Sequence, residues 1–267
     1  GAGASGVVVG AATDVGRLRT VNEDGYLAIA PAFVVVDGMG GHAAGRMATQ
    51  VALDSLYSLA GTTVTGVETV VRSVMAAQEA IVAIPSHAAY LPGATIAGVV
   101  LAWMEDEQGV TRPTWIIFNI GDARVYLLRD DMLSQVTRDH SRVQILIETG
   151  ELTPEQARRD PRRNVVTRAL GGGIADSAVP DLYSVPVAAG DRLLICSDGL
   201  SDELDDEAIA TVLAAGYTAQ RTAELLVAAS LEGGGHDNTT AVVVDSAETP
   251  ALAPAVVPGD ASTQEVL

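Results

Sequence analysis

Two apolar runs end abruptly in Asp-Gly: Phe33-Val34-Val35-Val36-Asp37-Gly38 near the start, and Leu193-Leu194-Ile195-Cys196-Ser197-Asp198-Gly199 far downstream. An apolar strand that carries a carboxylate to its own tip, with glycine letting the chain turn away, puts an oxygen ligand on a rigid support. A third acid comes in Gly235-His236-Asp237-Asn238, just before the apolar run Thr240 to Val244. Three carboxylates brought together at strand ends suit hard cations such as Mg²⁺ or Mn²⁺, which prefer oxygen ligands and keep several waters. Thiol chemistry on phosphate is excluded: it asks for an Arg six positions after the Cys, and position 202 is Asp. Cys196 therefore reads as a small buried residue. No Gly-x-Ser-x-Gly elbow occurs either.

The elements that must position these acids can be read from periodicity. Val7 to Ala12 reads as a strand, and Gly25 to Ala30 with Phe33 to Val36 reads as a hairpin across Pro31. Ala43 to Leu59 carries apolar residues at a helical period, and so does the stretch from Val67 to Val82. Strands follow at Ala94 to Ala102, Thr114 to Ile120 and Arg124 to Leu128, the last closed by the turn Arg129-Asp130-Asp131. The texture then changes. Ser141 can cap a short helix stopped by Gly150, and Thr153-Pro154-Glu155-Gln156 offers an N-cap, a first-position Pro and a Gln able to close a capping box. This polar, helical stretch, about 141–170, reads as an insertion or flap between β-rich segments. Strands resume near Asp181 to Val187 and Arg192 to Cys196, followed by helices over Asp206 to Ala214 and Thr218 to Leu231 and a last strand over Thr240 to Val244. Consecutive strands argue against βαβ alternation and for packed antiparallel sheets covered by helices. From Ser246 the chain is rich in Pro and small residues with no basic group, so 246–267 reads as a disordered tail or linker, suited to a longer membrane-anchored chain.

The 267 residues are 48% hydrophobic, enough for one large domain, and no apolar run reaches membrane-spanning length. The formal net charge is −18, and all 16 basic residues are Arg. So acidic a surface sets aside nucleic acid and anionic membrane as partners. One cysteine forms no internal disulfide and no signal peptide is visible, so a cytoplasmic location is expected. Nothing in the sequence demands more than a monomer.

In order along the chain stand Thr13 to Asp24, with Arg19, Asn22, Glu23 and Asp24; Asp37-Gly38-Met39-Gly40-Gly41-His42; Gly93-Ala94-Thr95; and Asn119-Ile120-Gly121-Asp122-Ala123-Arg124. Thr137-Arg138-Asp139-His140-Ser141 opens the flap and Asn164-Val165-Val166-Thr167-Arg168 closes it; Cys196-Ser197-Asp198-Gly199 and Asp237-Asn238-Thr239-Thr240 finish the set. Together these resemble the metal-dependent protein phosphatase family, the type 2C Ser/Thr phosphatases in their bacterial form, over residues 7 to 245. The resemblance implies an α+β fold, a four-layer α-β-β-α sandwich of two mainly antiparallel sheets flanked by helices. It implies a catalytic domain over 7–245 with the flap as an insertion.

It also implies a binuclear Mn²⁺ or Mg²⁺ centre, with a third ion in bacterial relatives. Carried over position by position, Asp37 bridges two ions, the Gly38 carbonyl binds the second, and Asp198 and Asp237 bind the first. Glu23 and Asp24 hold the second directly or through water, in either assignment. Asp122 shares a third ion with Asp198. Two cations about 3.5–4 Å apart screen a phosphate dianion and bring a shared water's pKa toward neutrality for in-line attack on phosphorus. Arg19 is the candidate for gripping phosphate through a planar, bidentate guanidinium; its alternative is an ion pair with Glu23 or Asp24. The His that follows Asp-Gly in many relatives is Met39 here, which leaves His42 either as general acid for the leaving group or as a hydrogen-bonding residue at a helix start. Asp139-His140-Ser141 is expected to order the flap's entry, Asn164, Thr167 and Arg168 to re-anchor it, and Asn238 to fix its own loop. The arginines from 158 to 163 either attract phosphorylated segments or form a solvated helix end.

The function implied is hydrolysis of phosphoserine and phosphothreonine in proteins, opposing bacterial Ser/Thr protein kinases. A non-catalytic pseudophosphatase, or a stress-pathway phosphatase of an anti-sigma-antagonist protein, is the alternative. No ligand acid is missing, which counts against the first. The contiguous flap with no added sensor domain counts against the second.

Overall fold

The run Phe33–Val36 is apolar at every position because the fold buries both of its faces. In β3 (Ala32–Met39), Phe33 and Val35 point into a core between two sheets, while Val34 and Val36 point into a core beneath helices. The computed structural model describes residues 6–86, 90–174 and 179–246. The larger sheet is ordered β2 (Asp24–Ile29), β3, β4 (Gly93–Glu105), β5 (Thr111–Ile120), β9 (Asp181–Pro186), with a short β8 (Leu170–Gly171) added to β4. The smaller sheet is ordered β1 (Val7–Asp14), β11 (Thr239–Ser246), β10 (Arg192–Cys196), β6 (Arg124–Arg129), β7 (Met132–Gln135). Every strand pairing is antiparallel.

The same alternation repeats in the smaller sheet. Leu193 and Ile195 of β10, with Val242 and Val244 of β11, meet Phe33, Val35, Trp115 and Ile117 between the sheets. Leu194, Cys196, Ala241 and Val243 face outward, onto α6 (Asp206–Leu213) and α7 (Ala219–Glu232). On the other side α1 (His42–Leu56) and α2 (Val67–Val82) cover the larger sheet through Ala48, Ala52, Leu56, Val70, Val74 and Ile81. The four layers are those the resemblance implies. No helix among the described residues is long and apolar enough to cross a membrane.

The expected elements recur with shifted ends. The first helix stops at Leu56 and gives way to a 3₁₀ turn over Tyr57–Leu59, and the first strand runs on to Asp14. Three short elements had no sequence signal: β7, β8 and α5 (Asp198–Ser201). β7 follows from the turn at Asp130 and Asp131, both with positive φ, which folds the chain back onto β6. In the flap, α3 (Arg142–Glu148) is capped by Ser141 Oγ accepting from Gln144 N, and α4 (Pro154–Ala157) carries the complete Thr153–Gln156 capping box. Arg158 donates to the carbonyls of Ser201 and Asp202, and Arg162 pairs with Asp160, so the flap spends these two guanidiniums on its own anchoring. The Pro-rich tail, apart from its first residue, lies outside the described residues.

Candidate active site

Strand parity delivers the first carboxylate. Counting by twos from Phe33 and Val35, Asp37 falls on the face between the sheets, at the end where β3 leaves the core. Its cross-strand partners are Asp24 on β2 and Thr95 on β4. Two like charges directly opposite in a sheet repel, so this pair calls for a proton or a cation. Gly38 then passes so close to the first turn of α1 that a β-carbon on it would lie 2.1 Å from the carbonyl oxygen of Gly45. Gly45 in turn leaves room for Glu23, whose Oε1 would be 2.1 Å from a β-carbon there. The backbone of Gly38 and the carboxylate of Glu23 are thus both packed against the first turn of α1.

The other two acids come from the smaller sheet. Asp198 begins α5 immediately after β10, where Ser197 is tied to β11 by Ser197 N to Thr240 O (3.1 Å) and Thr240 N to Ser197 Oγ (3.0 Å). Asp237 precedes β11, and Asn238 fixes the loop as expected: its amide donates to the carbonyls of Val15 and Val21, and its oxygen accepts from Glu23 N at 2.9 Å. One amide therefore locks the Asp237 loop to the segment carrying Arg19 and Glu23. Glu203 steadies the same loop by accepting from His236 N at 3.1 Å.

Arg19, Glu23, Asp37, Gly38, His42, Asp122, Asp198 and Asp237 line one cavity of about 300 Å³. Asp24 sits beside it, with Thr240 Oγ1 donating to its Oδ2 at 2.7 Å. The acids are crowded and dry enough to hold protons. Burial, then the charges of Asp24 and Asp198, keeps Asp37 well above the usual carboxylate range. Burial pushes Asp24 up to about 7 and raises Asp198, Asp122 and Glu23. The charges of Asp24 and Asp198 both bear on Asp37, so a cation bound there would relieve the same repulsion that a proton does. Among the described residues no three acid, imidazole or thiol groups are already closed around one cation position. Yet Oδ1 of Asp24 and Oδ1 of Asp198 are buried with no hydrogen-bond partner, two of four such side-chain atoms among the described residues, with Thr95 Oγ1 and Asn119 Oδ1. Oxygen donors of this kind, unpaired and mutually repelling, fit divalent hard cations.

Arg19 pairs neither with Glu23 nor with Asp24; its Nε lies 3.3 Å from Asp237 Oδ1, and the side chain is half exposed at the cavity. His42 opens α1 with Nδ1 3.9 Å from Glu23 Oε2. Asp122, 8% exposed, also lines a second cavity of about 500 Å³ between the flap and the α5–α6 turn, and Asp198 lines both. Two further residues, without a role assigned from the sequence, face the cavities. Asp202 faces the second cavity, pushed up to about 7 by burial of its carboxyl and then by Asp198; the signal was its place one helical turn after Asp198. Thr95 lines the first cavity with a buried, unpartnered hydroxyl; the motif Gly93-Ala94-Thr95 carries it with no role attached. Cys196 is fully buried, with its thiol pushed up to about 12, and has no part in the site.

The comparisons with known proteins identify the family. The family model for protein phosphatase 2C matches residues 18–233. The chain is 38% identical over 240 residues to the serine/threonine protein phosphatase PstP of Mycobacterium tuberculosis, covering 88% of this chain and 44% of that protein. The chain thus spans under half the length of this mycobacterial relative. It is 34% identical over 244 residues to the serine/threonine phosphatase stp of Listeria innocua, covering 87% and 93% respectively. Among solved structures it is similar to the catalytic domain of PstP in complex with two manganese ions, with a TM-score of 0.79 and 35% identity over 91% of this chain and 99% of that one.

Proposed function

Since the chain belongs to the protein phosphatase 2C family, we propose that it is a metal-dependent phosphatase that hydrolyses phosphoserine and phosphothreonine in proteins. The observation that carries this reading is the convergence on one cavity of acids from both sheets, with Asp37 from one and Asp198 and Asp237 from the other. The catalytic domain is taken as 7–245, with the flap at about 141–170. Asp37, the Gly38 carbonyl, Asp198, Asp237, Glu23 and Asp24 would hold two Mn²⁺ or Mg²⁺ ions, and Asp122 with Asp198 a third. Bound there, the ions supply charge neutralisation for the phosphate and an acidified water for attack.

The chain's own residues account for the remaining steps. Arg19 rests on Asp237, and an arriving phosphate offers it two oxygens in the planar geometry a guanidinium matches, so the side chain turns from carboxylate to substrate. The half-exposed position gives it room to turn. His42 presents Nδ1 toward Glu23, which leaves Nε2 to hand a proton to the departing serine or threonine oxygen. Met39 cannot play that part. Kinases acting on the same serines and threonines are the natural opponents of such an enzyme, and a reducing cytoplasmic setting suits the single buried thiol.

The test is hydrolysis of a phosphothreonine peptide with Mn²⁺, with Mg²⁺ and with chelator, beside Asp237→Asn. Turnover should need metal and fall at least about 100-fold in the variant, beyond what loss of a group merely supporting a ligand costs. Metal binding without turnover in the wild type would instead mark a phosphoprotein-binding module.

A further inference from the structure

Resting on the reading of Asp122 as a metal ligand, we propose that His140 is a positioning residue that fixes the loop carrying Asp122 and joins it to both roots of the flap. The imidazole is almost wholly buried, 2% exposed. It and its own peptide grip a single residue from both sides: Gly121 N donates to His140 Nδ1 at 3.0 Å, and His140 N donates to Gly121 O at 2.8 Å. Gly121 has φ +108, a conformation other residues rarely adopt, and a β-carbon there would meet Thr95 Cγ2 at 2.4 Å. The next residue is Asp122. Gly121 lies just beyond the end of β5, so sheet pairing does not hold its peptide, and the imidazole does.

The tautomer follows. Nδ1 must be bare to accept from Gly121, so the proton lies on Nε2 and is donated to Asp181 Oδ2 at 2.7 Å. Arg168 Nη1 stands 3.0 Å from the same nitrogen and donates instead to Asp181 Oδ1, also at 3.0 Å. The flap's two roots meet at this point. The chain enters through Ser141, which bridges Val166, and Arg142 N donates to Val165 O at 2.9 Å. It returns through Thr167, whose N–H donates to His140 O at 3.0 Å, and Arg168, which closes on Asp181. A displacement of either root is therefore felt at Gly121 and, one bond later, at Asp122. With the acceptor gone, the buried Gly121 N–H has no water to turn to and its loop must move.

The experiment measures Mn²⁺ binding by the paramagnetic signal of the free ion, with melting curves in chelator, for wild type, His140→Asn, His140→Gln and Asp122→Asn. Asn places an acceptor where Nδ1 lies; Gln places its amide where Nε2 lies and cannot reach Gly121. His140→Gln should weaken the most weakly held ion by about 10-fold or more, and His140→Asn should keep it within about threefold, although both variants disturb the same packing. Affinity that falls with melting temperature in both variants alike, or stays unchanged in both, overturns the proposal. Asp122→Asn separates the two levels. If it loses the ion while His140→Gln keeps it, only the proposal fails; if it binds like wild type, the ligand reading fails and the proposal with it. Should His140→Gln not fold, Asp181→Asn reads the clamp from its far side, and unchanged ion binding there overturns it.

Discussion

Asp24 and Asp37 face each other across two paired strands, and most of what distinguishes the site at the scale of single residues follows from that register. Both carboxyls titrate above the unfolded value of 3.8, Asp24 at about 7 and Asp37 well above it. In the window from about pH 4 to 7 the folded chain thus holds protons that the unfolded chain has released. Stability from this pair is present below the unfolded value and is lost as pH rises through the folded ones. Cations take over the protons' role at the upper end. Mn²⁺ should therefore raise the melting temperature more at pH 7.5 than at pH 5, and Asp24→Asn should stabilise the metal-free protein at pH 7.5. Equal Mn²⁺ shifts at the two pH values would contradict this. Asp37, Asp198 and Asp237 were legible in the sequence because each stands where an apolar run begins or ends, a local signal. The roles of Thr95 and Asp202 were not, although Thr95 stands in the motif Gly93-Ala94-Thr95 and Asp202 follows Asp198 by one turn. The role of Thr95 depends on what lies opposite it in the sheet, and that of Asp202 on a one-turn helix too short to leave a periodicity.

At the scale of elements, the start of α1 is part of the site. Gly45 would ordinarily be a weak point, since Ala in a helix interior is favoured over Gly by about 0.8–1 kcal/mol. Here a methyl group would press on Glu23 Oε1 and on the backbone of Gly38. The two effects oppose each other in stability, but only the second touches the residues proposed as ligands. Gly45→Ala should leave the melting temperature within a few degrees, given a net change of about 1 kcal/mol or less, and weaken Mn²⁺ binding; binding unchanged would show that Glu23 and Gly38 tolerate the intrusion. Both long helices over the larger sheet were readable from their apolar stripes, and α4 from its capping box. β8 was not, because two residues added to β4 carry no pattern of their own and pair only when the flap has returned to place them.

Across the whole molecule, the two sheets are tied at both ends. At one end stand the site acids. At the other Asp191, its side chain wholly buried, accepts from Trp115 Nε1 of the larger sheet at 2.9 Å and pairs with Arg129 of the smaller at 2.7 Å. Asp191→Ala leaves the indole N–H without a partner and should cost about 3 kcal/mol in urea unfolding, with Mn²⁺ affinity unchanged. The net charge of −18 acts at longer range. An acidic phosphopeptide approaches against repulsion, so its kcat/KM should rise about severalfold between 10 and 150 mM NaCl, as screening shortens the Debye length from about 30 to 8 Å. A small aryl phosphate, which carries only the charge of its phosphate group, should respond less. Finally, the one thiol of the chain lies sealed between the smaller sheet and its helices. A thiol-reactive reagent can reach it only when those layers part, so the rate of labelling is a built-in clock for opening of that half of the fold, readable without any added probe.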